Sequence, residues 1–366
     1  MTQPIQSDSL KSNNVIDKAG SVRSGEELDL SRLDPWLKTQ MSDISSQPVV
    51  HQYSGGASNW TYCLQYPEKE LILRRAPSGT KAKGAHDMGR EYRLQQALKP
   101  VYSYVPAMLA YSDDERLIGS EFYVMEKLTG VIPRKNLPRG VQLNKAQTQH
   151  LCRNALDSLI ELHQVDYKSA NLQHLGKGTG YTQRQIEGWT TRYSKAKTWN
   201  VPSANYVMDW LKANIPAEEH ICITHNDFRF DNLVLQADDP THIIGVLDWE
   251  LATLGDPLMD IGNSLAYWVD AGDDPIAQGT RRQPTHLDGM FTRAEVIEYY
   301  LDKTGYKVDD FTFYEVYGLF RLAAIAQQIY YRYHHKQTNN PAFKHIWFFV
   351  HYLLWRCKKS IKKARV

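Results

Sequence analysis

Apolar positions change their spacing several times along this chain, and each change marks a different kind of element. Leu30, Leu33, Leu37 and Met41 recur every three or four residues and predict an amphipathic helix over residues 29–41. Residues 49–76 then read as strands in three runs, VVHQYSGG, WTYCLQY and LILRRA, the last two separated by a Pro-Glu-Lys-Glu turn. Helical spacing returns over 85–98, and strand-like runs follow at 107–111 and 121–126. Beyond a linker after Met125 the pattern is mainly helical, with helices expected near 145–163, 182–198, 206–214, 256–268, 292–304, 311–333 and 341–363. The fold class is therefore α+β, strands first and helices after. The opening 24 residues are rich in Ser, Asn, Gln and Lys without periodicity and read as a disordered tail.

One segment interrupts the helical half. In ICITHNDFRFDNLVLQADDPTHIIGVLDWE, His225, Asp227 and Asn232 form H-x-D-x-x-x-x-N, and Asp248 closes a second apolar run. Leu233-Val234-Leu235 and residues 243–247 read as two short buried strands joined by a turn, so a hairpin brings Asn232 near Asp248. A carboxamide oxygen and a carboxylate placed side by side are the hard ligands that Mg²⁺ takes. Asp227, earlier on the loop, is left to face a substrate hydroxyl as a general base. Asp256 followed by Pro257 predicts a helix N-cap with proline at the first helical position.

Composition narrows the classes. With 366 residues, 42% hydrophobic and 23% charged, the chain is long enough for two domains or lobes and has the make-up of a globular enzyme. A net charge of +2 argues against a dedicated nucleic-acid partner. Cys63, Cys152, Cys222 and Cys357 are scattered, with no C-x-x-C pair, and read as reduced buried thiols. The thirteen histidines show no zinc-binding spacing. No secretory h-region or membrane-length apolar run is present, so a cytoplasmic location without membrane contact is expected. Oligomeric state leaves no trace.

The motif segment resembles the aminoglycoside phosphotransferase and choline kinase superfamily of small-molecule kinases. More closely, it looks like the phosphotransferase family related to the kinase domains fused to acyl-CoA dehydrogenases. THNDFRFDNLVL, VLDWELATLGDPLMDIG, LILRRAP, REYRLQQAL and SGGASNWTY carry the likeness, which runs from about residue 25 to 356. One departure is Asn226, where that family usually has Gly between the His and the Asp.

The resemblance implies a protein-kinase-like fold, with a nucleotide-binding lobe over 25–127 and a catalytic and acceptor-binding lobe over 128–366. It implies ATP as co-substrate and Mg²⁺ as cofactor. Gly55, Gly56, Ser58 and Asn59 would cover the phosphates, and Arg74, paired with Glu91, would bind them. Adenine would meet the backbone of Glu126 and Leu128 with Met125 behind it. Arg229 would face the transferring group, while His225 and Asp260 would support the loop. Asp231 is expected to face solvent or cap a turn. Glu250 is open between holding a metal-bound water and a structural hydrogen bond. A hydroxyacyl or hydroxy-acid acceptor ranks first, with Arg281, Arg282 and Arg332 as candidate cations for it. An aminoglycoside or amino alcohol ranks second, with Asp270, Asp273 and Asp274 as either its carboxylate cluster or an exposed loop. A protein acceptor ranks third. The alternative from another class is a nucleotide-binding regulator without turnover.

Overall fold

The computed structural model describes residues 19–53, 59–77, 87–217 and 219–364. Helix α1 (Leu30–Gln40) starts at Asp29, whose side chain accepts the Ser31 N–H, and it buries Leu33 and Leu37. Strands β1 (Val49–Gln52), β2 (Trp60–Gln65) and β3 (Glu70–Arg75), helix α2 (Met88–Leu98), strand β4 (Met108–Ser112), the short helix α3 (Glu115–Ile118) and strand β5 (Phe122–Glu126) follow. The five strands form one antiparallel sheet in the order β1-β2-β3-β5-β4. Side-chain alternation splits its core in two. Tyr62, Leu64, Leu71, Leu73, Phe122 and Val124 pack with Leu33 and Leu37 of α1. Cys63, Ile72, Tyr123 and Met125 pack with Met88 of α2 on the opposite face.

The expected disordered tail is too long by several residues. Gly20 exchanges two backbone hydrogen bonds with Gln52, at 2.8 and 2.9 Å, and so adds a single bridge at the sheet edge. Polar composition concealed this because backbone pairing needs no apolar side chain.

The helical lobe comprises α4 (Lys145–Gln164), α5 (Tyr181–Ala196) and α6 (Asn205–Ala213), then strands β6 (Cys222–Thr224), β7 (Leu233–Leu235), β8 (Ile243–Val246) and β9 (Thr253–Gly255). Helices α7 (Pro257–Ala266), α8 (Pro275–Thr280), α9 (Arg293–Thr304), α10 (Thr312–His334) and α11 (Ile346–Lys363) complete it. β7 and β8 form the expected hairpin, and β6 pairs with β9, a strand too short to show periodicity. Capping boxes at Asn144–Gln147 and Thr292–Glu295 start α4 and α9. Helices α7 and α10 touch backbone to backbone: a Cβ on Gly262 would strike Tyr314, and one on Gly318 would strike Gly262.

A seam joins the lobes on the linker side. Val131 and Leu235 exchange two backbone hydrogen bonds of 2.8 Å, and Val246 N–H donates to the Tyr104 carbonyl at 2.8 Å. The linker is therefore stitched to the hairpin that carries Asn232 and Asp248. All four cysteines are buried and free. Among the described residues, no helix is long and apolar enough to cross a membrane.

Candidate active site

The loop after β6 turns sharply because Asn226 adopts a left-handed conformation, φ 63°. Asparagine tolerates that region better than most residues. Its amide is then fully used. Oδ1 accepts from Tyr181 Oη and Asn263 Nδ2, both at 3.1 Å, while Nδ2 donates to Thr224 Oγ1 at 2.9 Å and the Leu251 carbonyl at 3.2 Å. A glycine could take the same turn but none of these bonds.

Asp260, on the first turn of α7 and 0% exposed, holds the loop from beneath. Its carboxylate accepts the backbone N–H of His225 at 2.7 Å and of Asn226 at 2.8 Å, with His163 Nε2 at 3.1 Å. Burial alone raises a carboxyl's pKa, but His163 and the loop donors outweigh it and hold Asp260 below the ordinary aspartate value. His225 Nδ1 accepts the Asp227 N–H at 3.2 Å, which leaves the ring proton on Nε2, donated to the Leu247 carbonyl at 3.0 Å. Asp256 caps α7 through the N–H groups of Leu258 and Met259, with Pro257 at the first helical position.

Asp227 projects from this anchored turn. Asn232 Nδ2 donates both to its carbonyl, at 2.8 Å, and to its Oδ2, at 3.1 Å, and Arg229 Nη2 lies 3.2 Å from the same oxygen. Burial pushes the Asp227 carboxyl above its ordinary pKa, against the pull of Arg229 and Arg321. Arg229 stacks on the Tyr267 ring, 4.6 Å from its centroid. The hairpin pairs Leu233 with Val246, and Leu247 N–H donates to the Asn232 carbonyl at 2.8 Å. Asp248 therefore leaves the hairpin beside Asn232, in a left-handed conformation of φ 68° that favours glycine.

The free oxygens fit a hard divalent cation. With Asn232 Nδ2 committed to Asp227, no described residue donates to Asn232 Oδ1, and Asp248 keeps Oδ2 after Arg74 takes Oδ1. Among the described residues, no three His, Cys, Asp or Glu side chains cluster into a protein-only cage. Mg²⁺ typically keeps water and phosphate oxygens beside one or two protein ligands, so two oxygens are the expected donor set.

From the sheet, Arg74 reaches across the cleft and donates to Asp248 Oδ1 at 3.1 Å. The expected Arg74–Glu91 ion pair does not form. Glu91 instead accepts from Tyr123 Oη at 2.9 Å and Asn59 Nδ2 at 3.3 Å. Arg75, one position on, packs over Trp60 on the opposite face. Asn59 also approaches Glu250 Oε2 at 3.4 Å, while Gly55, Gly56 and Ser58 lie outside the described residues. Met125 is buried against Ile72, and Leu128 sits over Gly245. Glu126 N–H is taken by the Ala107 carbonyl at 2.9 Å, so only its carbonyl is left to offer an adenine.

Other expectations change. Asp231 faces inward, 3.3 Å from Arg229 Nε. The acidic trio is not free: Arg293 pairs with Asp270 at 3.2 Å and with Asp273 at 2.5 Å, and Asp274 caps α8 and accepts from Tyr352. Arg281 is buried and donates to backbone at Lys135 and Gln283. Arg332 is exposed on α10. The sequence reading did not single out Arg321, which donates to the Asn226 carbonyl at 2.9 Å, nor Tyr267. Arg321 had a signal: it is the one charge in the apolar run over 317–329.

A family model described as phosphotransferase enzyme family matches residues 49–298. Mouse acyl-CoA dehydrogenase family member 10 is 33% identical over 314 residues, covering 85% of this chain but 29% of the mouse protein. Rat acyl-CoA dehydrogenase family member 11 is 33% identical over 315 residues, 84% of this chain and 40% of the relative, so the chain spans well under half of either. Among solved structures, a Ralstonia eutropha protein assigned as an aminoglycoside phosphotransferase superposes with a TM-score of 0.75 at 30% identity, covering 91% of this chain and 99% of that one. Choline kinase from Cryptosporidium parvum gives 0.62 at 14% identity, covering 90% and 96%. A thermostable aminoglycoside phosphotransferase in complex with AMP-PNP and hygromycin B gives 0.56 at 13% identity, covering 91% and 98%. These last two bear on the fold alone.

Proposed function

The chain belongs to the phosphotransferase enzyme family, and we propose that it moves the γ-phosphoryl group of ATP to a hydroxyl of a small hydroxyacyl or hydroxy-acid compound. The observation that carries this reading is the convergence of Asp227, Asn232 and Asp248 in one cleft, with Arg74 entering from the opposite lobe. Asp227 accepts the acceptor's hydroxyl proton, or orients that hydroxyl, in line with the phosphorus. Arg74 exchanges its carboxylate partner for phosphate oxygens, to which a guanidinium can bind in two-pronged fashion. Arg229, fixed between Asp227, Asp231 and the Tyr267 ring, supplies positive charge to the transferring group. Asn232 and Asp248 would hold Mg²⁺, which neutralises charge on the β- and γ-phosphates when bound. The AMP-PNP complex of a neighbour with the same fold agrees with a nucleotide in this cleft.

Two features favour an acyl-type acceptor. The acidic residues that could receive a polycation are spent on Arg293, Tyr352 and a helix cap. Beyond Tyr267 opens a cavity of about 510 Å³ with apolar walls, including Leu322, Ile325 and Phe349, and with Arg282 and Arg356 at its lining. The relatives' names point to acyl compounds as well. The second reading, an aminoglycoside or amino-alcohol kinase, is favoured by the Ralstonia likeness.

The deciding experiment incubates the protein with Mg²⁺-ATP and a panel of hydroxy acids, hydroxyacyl thioesters, amino alcohols and aminoglycosides. ADP release is followed and the phosphorylated product identified by mass. ADP formation with the first two classes is expected. Nucleotide binding without ADP from any acceptor refutes phosphotransfer and leaves a regulator.

A further inference from the structure

Charge is unevenly spread along the chain. Ten of its 43 lysines and arginines, and none of its 41 aspartates and glutamates, lie beyond Glu315. The small net charge therefore hides a basic end. Lys358, Lys359, Lys362 and Lys363 stand exposed on the last turns of α11, and no described carboxylate pairs with any of them. Earlier on the same helix Phe348 and Trp355, seven residues apart, are 51% and 50% exposed. Steps of seven, four and three put Phe348, Trp355, Lys359 and Lys362 on one stripe, and Lys359 Nζ lies 5.4 Å from the centroid of the Trp355 ring. Ile276 of α8, His351 and Tyr352 join the two aromatics around an open groove. The one carboxylate at that groove, Asp274, is spent on the α8 cap and on Tyr352. A lone exposed apolar residue needs no explanation, but three large ones gathered at one groove mark a contact surface.

We infer that this face of α11 docks on a membrane surface carrying anionic lipid. Unpaired positive charge beside exposed apolar rings is complementary to a bilayer interface, where aromatic rings sit at headgroup level and ammonium groups reach the phosphates. The choice of cation separates this occupant from a protein. Protein–protein interfaces enrich arginine and deplete lysine, whereas the basic half of this stripe is lysine throughout. Such a surface lies on the bilayer and needs no apolar run long enough to span it, so it escapes the criterion that argues against membrane contact from the sequence. Tyr352 lines both this groove and the cavity beyond Tyr267, so the docked face is the outer side of a wall of that cavity. The inference goes beyond the phosphotransfer reading and does not need it.

The test floats the full chain with vesicles of phosphatidylcholine alone or of an equimolar mixture with phosphatidylserine, at low and high salt. Binding to the mixed vesicles at low salt is expected, with at least about 10-fold less on phosphatidylcholine alone and a matching loss in high salt. The double variant Lys358→Gln/Lys362→Gln should weaken binding about 10- to 30-fold, each lysine near such a surface contributing about fivefold. Trp355→Ser should weaken it about 10-fold through lost apolar burial. The same loss of two charges on α4 and α9, Lys145→Gln/Lys303→Gln, should change it by less than about twofold. All five positions are exposed, and thermal melts verify that each variant folds. No binding to either vesicle, equal binding to both, or equal losses from the two lysine pairs overturns the inference. A concentration-dependent dimer that Trp355→Ser dissolves, without vesicle binding, assigns the face to a second copy and overturns it as well. No nucleotide is present, so the result is independent of phosphotransfer.

Discussion

The Arg74 guanidinium donates to the Asp248 carboxylate at 3.1 Å, tying β3 of the sheet lobe to the residue that ends the β7–β8 hairpin 174 positions later. Each neutralises the other, and each is the group that nucleotide loading would redirect, the cation to phosphate and the carboxylate to Mg²⁺. Asp248→Asn should lower kcat at least about 100-fold, as loss of a charge-stabilising group does. Nucleotide binding in EDTA should stay within a few-fold of wild type, because Arg74 is freed. Turnover assays beside fluorescent-nucleotide titration check both halves; strong loss of metal-free binding contradicts this division.

Asp227 gives a pH signature. Burial holds its carboxyl above the ordinary aspartate pKa, so the ionised base accumulates only at a higher pH than for a free side chain. kcat/KM should rise with pH through that raised value and flatten above it. Asp227→Asn should cut kcat by about 10²–10⁴-fold and abolish the acidic limb of the profile. A residual activity that keeps the same limb would assign the titration to another group.

Asp260 runs in the opposite direction. Burial would raise its pKa, but His163 and the loop donors bring it below the unfolded value, so its ionised form favours the fold. The stability it contributes is full above the unfolded-state pKa and is lost as pH falls through the lower, folded-state value. Asp260→Asn should destabilise the protein by about 3 kcal/mol at neutral pH, the order expected when buried donors lose a charged acceptor. The difference in Tm from wild type should narrow in strong acid. Urea and thermal melts across pH measure it.

Asn226 predicts a reversal of the usual glycine rule. Asn226→Gly relieves the left-handed backbone but strands Tyr181 Oη and Asn263 Nδ2, and should cost roughly 1–3 kcal/mol in urea unfolding. Asn226→Ala should cost more, since it loses the same bonds and keeps the strain. A stabilised glycine variant would mean that the amide network contributes little.

Short-range patterns were legible and partner choice was not. The runs at 233–235 and 243–247 announce a hairpin, and the hairpin alone brings Asn232 beside Asp248. The long helices follow from their apolar spacing. That Arg293 neutralises Asp270 and Asp273 was hidden, because an ion pair between a loop and a later helix leaves no local pattern. The same holds for Arg74, which the family resemblance assigns to Glu91 and the folded cleft assigns to Asp248. Arg321 could have been found: a lone charge within an apolar helical run is buried, and a buried charge calls for a counter-ion.

The two-bond bridge between Val131 and Leu235 makes one edge of the cleft a spine. If the sheet lobe swings against the helical lobe, it must pivot there, since the linker and the hairpin are one hydrogen-bonded piece. Displacement then grows with distance from the spine, smallest at Met125 and greatest at the far rim. Arg74 and Asp248 face each other across that cleft, so any opening motion strains the two charges that a triphosphate must separate.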